Sequence, residues 1–234
     1  DSVCVCFSGG KDSLATLHLV WEIAQERGLS HVDVVFRDEE LIPDQVVDFV
    51  NEYRQLPWVR MLYFAVPLAS SKFILGRSFD YVQWDPNRAH IRPVPEHAIT
   101  LEPGDTRVMD QYSMDGLVAS YFKGRVALVT GIRAAESLMR FRASVNKLNE
   151  NYLTGTPERN VMLAKPLYDW EENDVFKFFW ERNIRYCPIY DRQHVAGHAL
   201  RVSTPLHAEH AKKLGNVRAV SPVFYQQVID LFPE

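Results

Sequence analysis

The sequence predicts an α/β protein with a doubly wound, mostly parallel sheet, and two observations carry this prediction. Short apolar runs at residues 3–7, 32–36, 59–66 and 126–130 have the length and composition of buried strands. Segments with helical periodicity lie between these runs, and such alternation is typical of βαβ units with parallel strands. At 234 residues, the chain is long enough for one domain of this class.

Four helices are predicted from periodicity and from end signals. The first follows the first strand and is expected to stop at Gly28, and the second opens at Pro43. The third covers 107–122. The fourth covers 170–182, with Asp169 as its N-cap and Glu172 completing a capping box.

The composition narrows the classes of function. A formal net charge of −4 argues against an extensive nucleic-acid-binding surface, although it is compatible with a local basic patch. No apolar run reaches the roughly 18 residues that a membrane span needs, and no secretory signal is recognisable at the start. Three cysteines are too few for a disulfide scaffold and suit a reducing compartment. We therefore expect a cytoplasmic protein.

The turn after the first predicted strand, Ser8–Ser13, has the features of a phosphate-binding loop. Its two glycines let backbone N–H groups approach an anion, and the helix that follows adds unpaired donors and partial positive charge. Lys11 supplies a full charge, the two serines supply hydroxyls, and Asp12 is placed to cap the helix or hold Mg²⁺. The alternative is an ordinary tight turn with a serine cap. A Walker A loop is excluded because an aspartate follows the lysine.

The second predicted strand ends at Phe36, and acidic residues follow it. Open α/β sheets bind ligands at the carboxyl ends of their strands, so Phe36 and Asp38 are candidates for nucleotide contacts. Asp38 is placed to contact a ribose or Mg²⁺, and the alternative is a solvated loop. The proline-rich insertion at 67–105 shows no clean period. Its Trp84 either stacks on a base or packs inside the insertion.

A second informative stretch follows the strand at 126–130 and runs from Gly131 to Arg140. On one helix, Arg133, Glu136 and Arg140 fall on the same face, together with Ser137. This face is locally basic in an acidic protein, which suits a second anion site. The alternative is a solvated helix with an internal Arg–Glu pair.

These motifs resemble those of a known superfamily. Residues 8–13 read SGGKDS and resemble the PP-loop of the ATP pyrophosphatases, whose fold is adenine nucleotide alpha hydrolase-like. Residues 131–137 read GIRAAES and resemble a motif of the phosphoadenosine phosphosulfate (PAPS) reductase family, as does the Lys165–Trp170 element with its downstream Asp174 and Val175. Trp84-Asp85 and the arginine–proline loop, Arg92-Pro93-Val94-Pro95, are similar to sequences of the immunoglobulin-binding-regulator A branch.

The resemblance implies an adenine nucleotide, ATP or PAPS, with Mg²⁺ as cofactors. It implies cleavage of ATP between the α and β phosphates, transfer of the adenylyl group to an acceptor and release of pyrophosphate. The catalytic residues would be Lys11, Arg133 and Arg140, and tentative Mg²⁺ ligands would be Asp12 and Asp38. The expected nucleotide- and phosphate-binding residues are Ser8, Gly9, Gly10, Lys11, Asp12, Ser13, Phe36, Asp38, Gly131, Arg133, Glu136 and Arg140.

The sequence departs from the reductases because no cysteine follows Cys187. Thiol-dependent reduction needs a thiolate nucleophile, so we expect neither that activity nor an iron–sulfur cluster. The alternative function is a nucleotide-sensing, regulatory module that acts with a ParB-like partner protein. The sequence leaves open a homo-oligomer.

The expected domain organisation is a nucleotide-binding domain at 1–204, which contains the insertion, and a helical extension of it at 205–234. A glycine-containing segment carries a possible lid over the phosphates, formed by Arg192, His194 and Arg201. The spacing of the His194/His198 and His207/His210 pairs is compatible with a metal on a helix. Zinc is not expected, because no glutamate lies between the first two histidines as in H-E-x-x-H.

Overall fold

The computed structural model describes residues 1–74, 77–145, 152–202, 204–206 and 214–233. Its contacts divide the chain into two compact units. The sheet unit comprises residues 1–36, 50–62 and 112–186, and the hairpin unit comprises residues 37–49, 63–111 and 187–234.

The described strands are β1 (Ser2–Cys6), β2 (Val32–Arg37), β3 (Val59–Phe64), β4 (Leu68–Ile74), β5 (Arg77–Gln83), β6 (Val126–Val129), β7 (Leu153–Gly155) and β8 (Val161–Ala164). The helices are α1 (Lys11–Glu26), α2 (Asp44–Arg54), α3 (Gln111–Ser120), α4 (Leu138–Val145), α5 (Glu172–Arg182), α6 (Ile189–Val195), α7 (Leu214–Val220) and α8 (Pro222–Leu231). A 3₁₀ turn covers Ala134–Glu136.

The main sheet has six strands in the order β3-β2-β1-β6-β8-β7. β1 pairs in parallel with β2 and β6, β6 pairs in parallel with β8, and β7 is an antiparallel edge strand. Val5 in the central strand is fully buried and is in register with Val34 and Val129. The predicted mostly parallel α/β fold is confirmed. The strand order reverses at β1, which is where sheets of this kind bind ligands.

Helix α1 ends as its sequence predicts. Gly28 has a φ of 70°, and its N–H donates to the carbonyl of Gln25 at 2.9 Å, while the N–H of Leu29 donates to Ala24 at 2.9 Å. These bonds satisfy carbonyls of the last turn, and the left-handed conformation costs glycine little.

An aromatic group covers the outer side of α1. His18 Nε2 lies 2.8 Å from the Tyr53 hydroxyl, and its ring meets the edge of the Trp58 ring at a centroid distance of 5.6 Å. Burial lowers the pKa of His18 from 6.5 to about 4, although the charge of Glu22 opposes the shift. The imidazole is therefore neutral in the folded protein near neutral pH.

This shift predicts a loss of stability in mild acid. Between pH 6.5 and about 4, the unfolded chain binds a proton at His18 that the folded chain does not. The free energy of unfolding should therefore decrease as the pH is lowered through this window, with a slope of up to about 1.4 kcal/mol per pH unit from this group. Urea unfolding at several pH values measures this slope. His18→Gln should lose the part of the slope that comes from His18, whereas His194→Gln, at an exposed position, should keep the wild-type slope. Equal slopes in the wild type and His18→Gln would contradict the assignment.

The hairpin unit contains a feature that the sequence did not indicate. Residues 67–105 were expected to be irregular, but β4 and β5 pair antiparallel in a two-stranded sheet, from Leu68 opposite Gln83 to Ile74 opposite Arg77. The expectation was wrong for this part of the insertion because the prolines and aromatic residues farther along obscured the strand pattern.

A small core holds the hairpin unit together. Leu41, Tyr81, Leu206, Phe224 and Val228 form a buried cluster. The last two lie on α8, so the amphipathic end of the sequence packs on this cluster. Among the helices that the structure describes, none combines the length and hydropathy needed to cross a bilayer.

Candidate phosphate-binding site

The loop between β1 and α1 is held in shape by its own serines. Ser13 Oγ accepts a hydrogen bond from the Ser8 N–H at 3.1 Å and donates one to the Gly10 carbonyl at 2.9 Å. Gly9 has a φ of 75°, which favours glycine. Gly10 is the N-cap of the 16-residue helix α1, and no described side chain caps it. The serines therefore form the turn, and the start of the helix presents its partial positive charge to a ligand.

Gly131 packs directly against this loop. A Cβ atom at Gly131 would lie 2.5 Å from the carbonyl carbon of Asp12 and 2.6 Å from the nitrogen of Ser13. Real side chains do not tolerate such distances, so only glycine fits here without displacement of the backbone. The turn after β6 and the first turn of α1 are thus in van der Waals contact.

That contact brings Arg133 to the loop. Arg133 is 4% exposed, and its Nε donates to Asp12 Oδ1 at 2.7 Å. Its Nη1 donates to the Trp170 carbonyl at 3.3 Å. The guanidinium is therefore fixed beside the N-terminus of α1, as the sequence-based interpretation requires.

Lys11 approaches the same carboxylate from the other side. Its Nζ lies 2.9 Å from Asp12 Oδ2 and 3.4 Å from Glu172 Oε2, and the residue is 4% exposed. Asp12 thus holds two cations at the helix start, one from the loop and one from the motif after β6. Cations fixed by a carboxylate in this way are preorganised for an anion.

The predicted continuous helix through the Gly131–Arg140 stretch is wrong. Arg133 has an extended backbone, with φ −113° and ψ 141°, and precedes the 3₁₀ turn, whereas α4 begins only at Leu138. The Glu136 carboxylate accepts the Arg133 N–H at 3.1 Å, a bond that spans the 3₁₀ turn. Glu136 also pairs with the half-buried side chain of Arg140. The break lets Arg133 point to the loop while Arg140 stays on α4.

The two proposed Mg²⁺ ligands have their oxygens engaged within the protein. Asp12 accepts from Arg133 and Lys11. Asp38 is 3% exposed and accepts from Arg92, from the Tyr63 hydroxyl at 2.7 Å and from a backbone N–H. No group of three possible metal ligands occurs in the described residues. These carboxylates do not fit a magnesium site, and we derive no step through a metal.

In the hairpin unit, two buried acidic residues that follow β2 form ion pairs with arginines of the insertion. The solvated-loop alternative for Asp38 is wrong, because Asp38 is buried and paired with Arg92. Glu40 pairs with Arg88 and accepts the Trp84 N–H at 2.6 Å. Trp84 is 3% exposed, and its indole N–H donates to the Asp38 carbonyl at 2.8 Å. The structure thus favours the packing alternative for this tryptophan.

The other predicted residues lie on elements outside the loop. Phe36 is 1% exposed at the end of β2. Arg192 and His194 are exposed on α6, while Arg201 is exposed in the segment that follows. His207 and His210 lie outside the described residues. The lid therefore stays a prediction.

Two residues, Lys165 and Glu172, make contacts that the sequence did not predict. Lys165 directly follows β8 and is buried; its Nζ donates to Thr154 Oγ1 at 2.5 Å, and burial lowers its pKa. Glu172 was assigned to a capping box with Asp169, but the observed box joins Glu171 and Asp174, so that assignment is wrong. Glu172 instead pairs with Lys11. A lysine directly after an apolar strand was the available signal for Lys165.

A glycine-rich loop between the first strand and the first helix of a mostly parallel sheet, where the strand order reverses, is typical of nucleotide-binding α/β proteins. The chain belongs to the phosphoadenosine phosphosulfate reductase family, since residues 2–222 match the phosphoadenosine phosphosulfate reductase domain. The predicted family is confirmed. The narrower assignment to the regulator-like branch stays a prediction.

One curated protein and one solved structure illustrate what this chain is similar to. The uncharacterized protein YbdN of Escherichia coli (strain K12) is 31% identical over 217 residues, which cover 85% of this chain and 52% of YbdN. The chain thus spans about half the length of this relative. The FMN adenylyltransferase of Candida glabrata, in complex with FMN and the ATP analogue AMPCPP, aligns with a TM-score of 0.54 at 15% identity. That alignment covers 86% of this chain and 53% of the enzyme, and it shows a shared fold.

Proposed function

We propose that this chain binds an adenine nucleotide, ATP or PAPS, with the phosphates against the Ser8–Ser13 loop, and that it cleaves ATP between the α and β phosphates. The observation that supports this most strongly is the placement of two buried cations, Lys11 and Arg133, on Asp12 at the uncapped start of α1. A fixed pair of cations beside a helix N-terminus is suited to a polyphosphate.

In this proposal the protein positions the nucleotide and stabilises charge. The loop amides and Lys11 hold the β and γ phosphates, and Arg133, with Arg140, stabilises charge at the α phosphate or the acceptor. An acceptor oxygen attacks the α phosphorus, the bond from that phosphorus to the bridging oxygen breaks, and pyrophosphate leaves with the bonding pair. The acceptor proton passes to solvent. No covalent chemistry by the protein is needed.

The fold comparison supports an adenylyl-transfer chemistry without establishing it for this chain. The structurally similar enzyme from Candida glabrata is an adenylyltransferase and holds an ATP analogue. Because this chain spans about half of that enzyme, the acceptor and the full activity belong to the proposal.

Lys11→Ala tests the proposal. We expect this variant to release pyrophosphate from Mg²⁺-ATP and a panel of acceptors about 10²–10³-fold more slowly than the wild type, because one preorganised charge at the phosphates is lost. Lys177→Ala is the matched control, since Lys177 is an exposed lysine of α5 that pairs with Glu181. If the wild type releases no more pyrophosphate than Lys11→Ala, the proposed cleavage is wrong.

Equilibrium titration separates the enzyme from the regulatory alternative. Binding of ATP or PAPS without pyrophosphate release would favour a nucleotide-sensing module with a ParB-like partner. Absence of binding would overturn both. The domain boundary at 204/205, a lid formed by Arg192, His194 and Arg201, a cytoplasmic location and a homo-oligomer remain parts of the proposal.

A further inference from the structure

A cavity lies wholly within the hairpin unit, and Arg201 of the proposed lid is one of the residues that line it. Its volume is about 250 Å³, and it is lined by residues of α6, α7 and α8, by Pro43 and Pro205, and by residues of the 198–202 segment. Apolar side chains supply most of its wall, with Ile189, Val220 and Phe224 contributed by the buried core. A cavity with such walls excludes strongly hydrated ligands.

One residue of the cavity wall has a ring nitrogen without a hydrogen-bond partner among the described residues. His198 lines the cavity, and its Nε2 is buried but makes no hydrogen bond to the described residues. A buried ring nitrogen left unpaired is costly, so the His198 side chain gains from any rotation that brings this nitrogen to a polar group. The His198 N–H donates to the Gln193 carbonyl at 2.8 Å, which fixes the position of the residue.

Arg201 lines the same cavity and is also held in place. The Gln193 side chain accepts the Arg201 N–H at 3.0 Å and donates to the Arg201 carbonyl at 2.6 Å. His198 and Arg201 are therefore both anchored to Gln193 of α6. These bonds hold the backbone that carries both side chains at the cavity.

The charge of the lining indicates an anion. Among the described residues that line the cavity, Arg201 carries a permanent positive charge and none is an aspartate or glutamate. A cavity of roughly 150 Å³ accommodates benzene, so one of this size has room for a ring and a short acidic arm. A nucleoside triphosphate does not suit this cavity, because its several negative charges would face apolar walls and a single arginine.

We propose that this cavity binds a small apolar molecule that carries one carboxylate, such as a short aromatic or aliphatic acid. The apolar body packs against Ile189, Val220 and Phe224, and the carboxylate lies toward His198 and Arg201. An arginine–carboxylate pair is the strongest polar contact available to such a ligand.

The test is a binding titration by protein-observed NMR with phenylacetate, 3-phenylpropionate and hexanoate. We expect at least one acid to bind with a Kd of about 1 mM or tighter, and 2-phenylethanol to bind at least about tenfold more weakly than phenylacetate. Arg201→Gln and His198→Ala should each weaken the best acid at least about fivefold. Arg201 is exposed, so its variant keeps the test valid even if His198→Ala does not fold.

Matched controls come from the adjacent helix. Arg192→Gln and His194→Ala change exposed residues of α6 that do not line the cavity, and both should bind the acid as the wild type does. The proposal is overturned if none of the three acids binds, if the alcohol binds as tightly as phenylacetate, or if the controls weaken binding as much as Arg201→Gln does.

Discussion

Replacing Gly131 with alanine should disrupt both the stability of the sheet unit and its affinity for nucleotide. The added Cβ would lie 2.5–2.6 Å from backbone atoms of Asp12 and Ser13, so the first turn of α1 must shift. We expect a loss of about 1–3 kcal/mol in the free energy of unfolding, the range for overpacking a close contact. Nucleotide affinity should fall by about tenfold or more, because the loop amides and Asp12 move with the turn. Urea unfolding and equilibrium titration with ATP measure the two effects.

Gly155→Ala is the matched control for this change. Gly155 ends β7 in the same unit, and a Cβ there meets nothing within 4 Å. The Gly155→Ala variant should keep the wild-type affinity for nucleotide. If Gly131→Ala and Gly155→Ala behave alike in both assays, the contact between the turn after β6 and the loop does not shape the site.

Arg133→Ala should produce the second large effect, a loss of nucleotide affinity of about 1.5–3 kcal/mol if the guanidinium bonds a phosphate. The same change removes one of the two cations from Asp12, so Lys11 alone then balances that carboxylate. Arg133→Lys should recover part of the affinity because it restores charge but not the planar fork. Titration with ATP and with PAPS gives the affinities.

Arg142→Ala serves as the comparison, since Arg142 is an exposed arginine of α4 in the same basic stretch. Its affinity should equal that of the wild type. Unchanged binding by folded Arg133→Ala would mean that Arg133 serves only to hold Asp12 and the Trp170 carbonyl.

The first strand, loop and helix were predictable to within one or two residues. The apolar run, the glycine pair and the helical spacing all favour the same local structure there, so no tertiary contact has to override it. The meeting of Arg133 with the loop also follows from the sequence, because the carboxyl ends of parallel strands share one edge of the sheet.

The rest depends on contacts that periodicity does not encode. The strands β7 and β8, of three and four residues, are too short to give a pattern. The break before α4 arises because the Glu136 side chain bonds the Arg133 backbone, a choice that helical spacing cannot show. The buried pairing of Asp38 with Arg92 joins residues 54 positions apart, so no local window contains it.

A crystal structure of the protein with a non-hydrolysable ATP analogue tests the central claim most directly. We expect the β and γ phosphates at hydrogen-bonding distance, about 3 Å, from the Gly9–Lys11 amides and Lys11 Nζ, with the Arg133 guanidinium against a phosphate oxygen. A nucleotide bound with its phosphates away from this loop, or a loop left without nucleotide at saturating analogue, would contradict it.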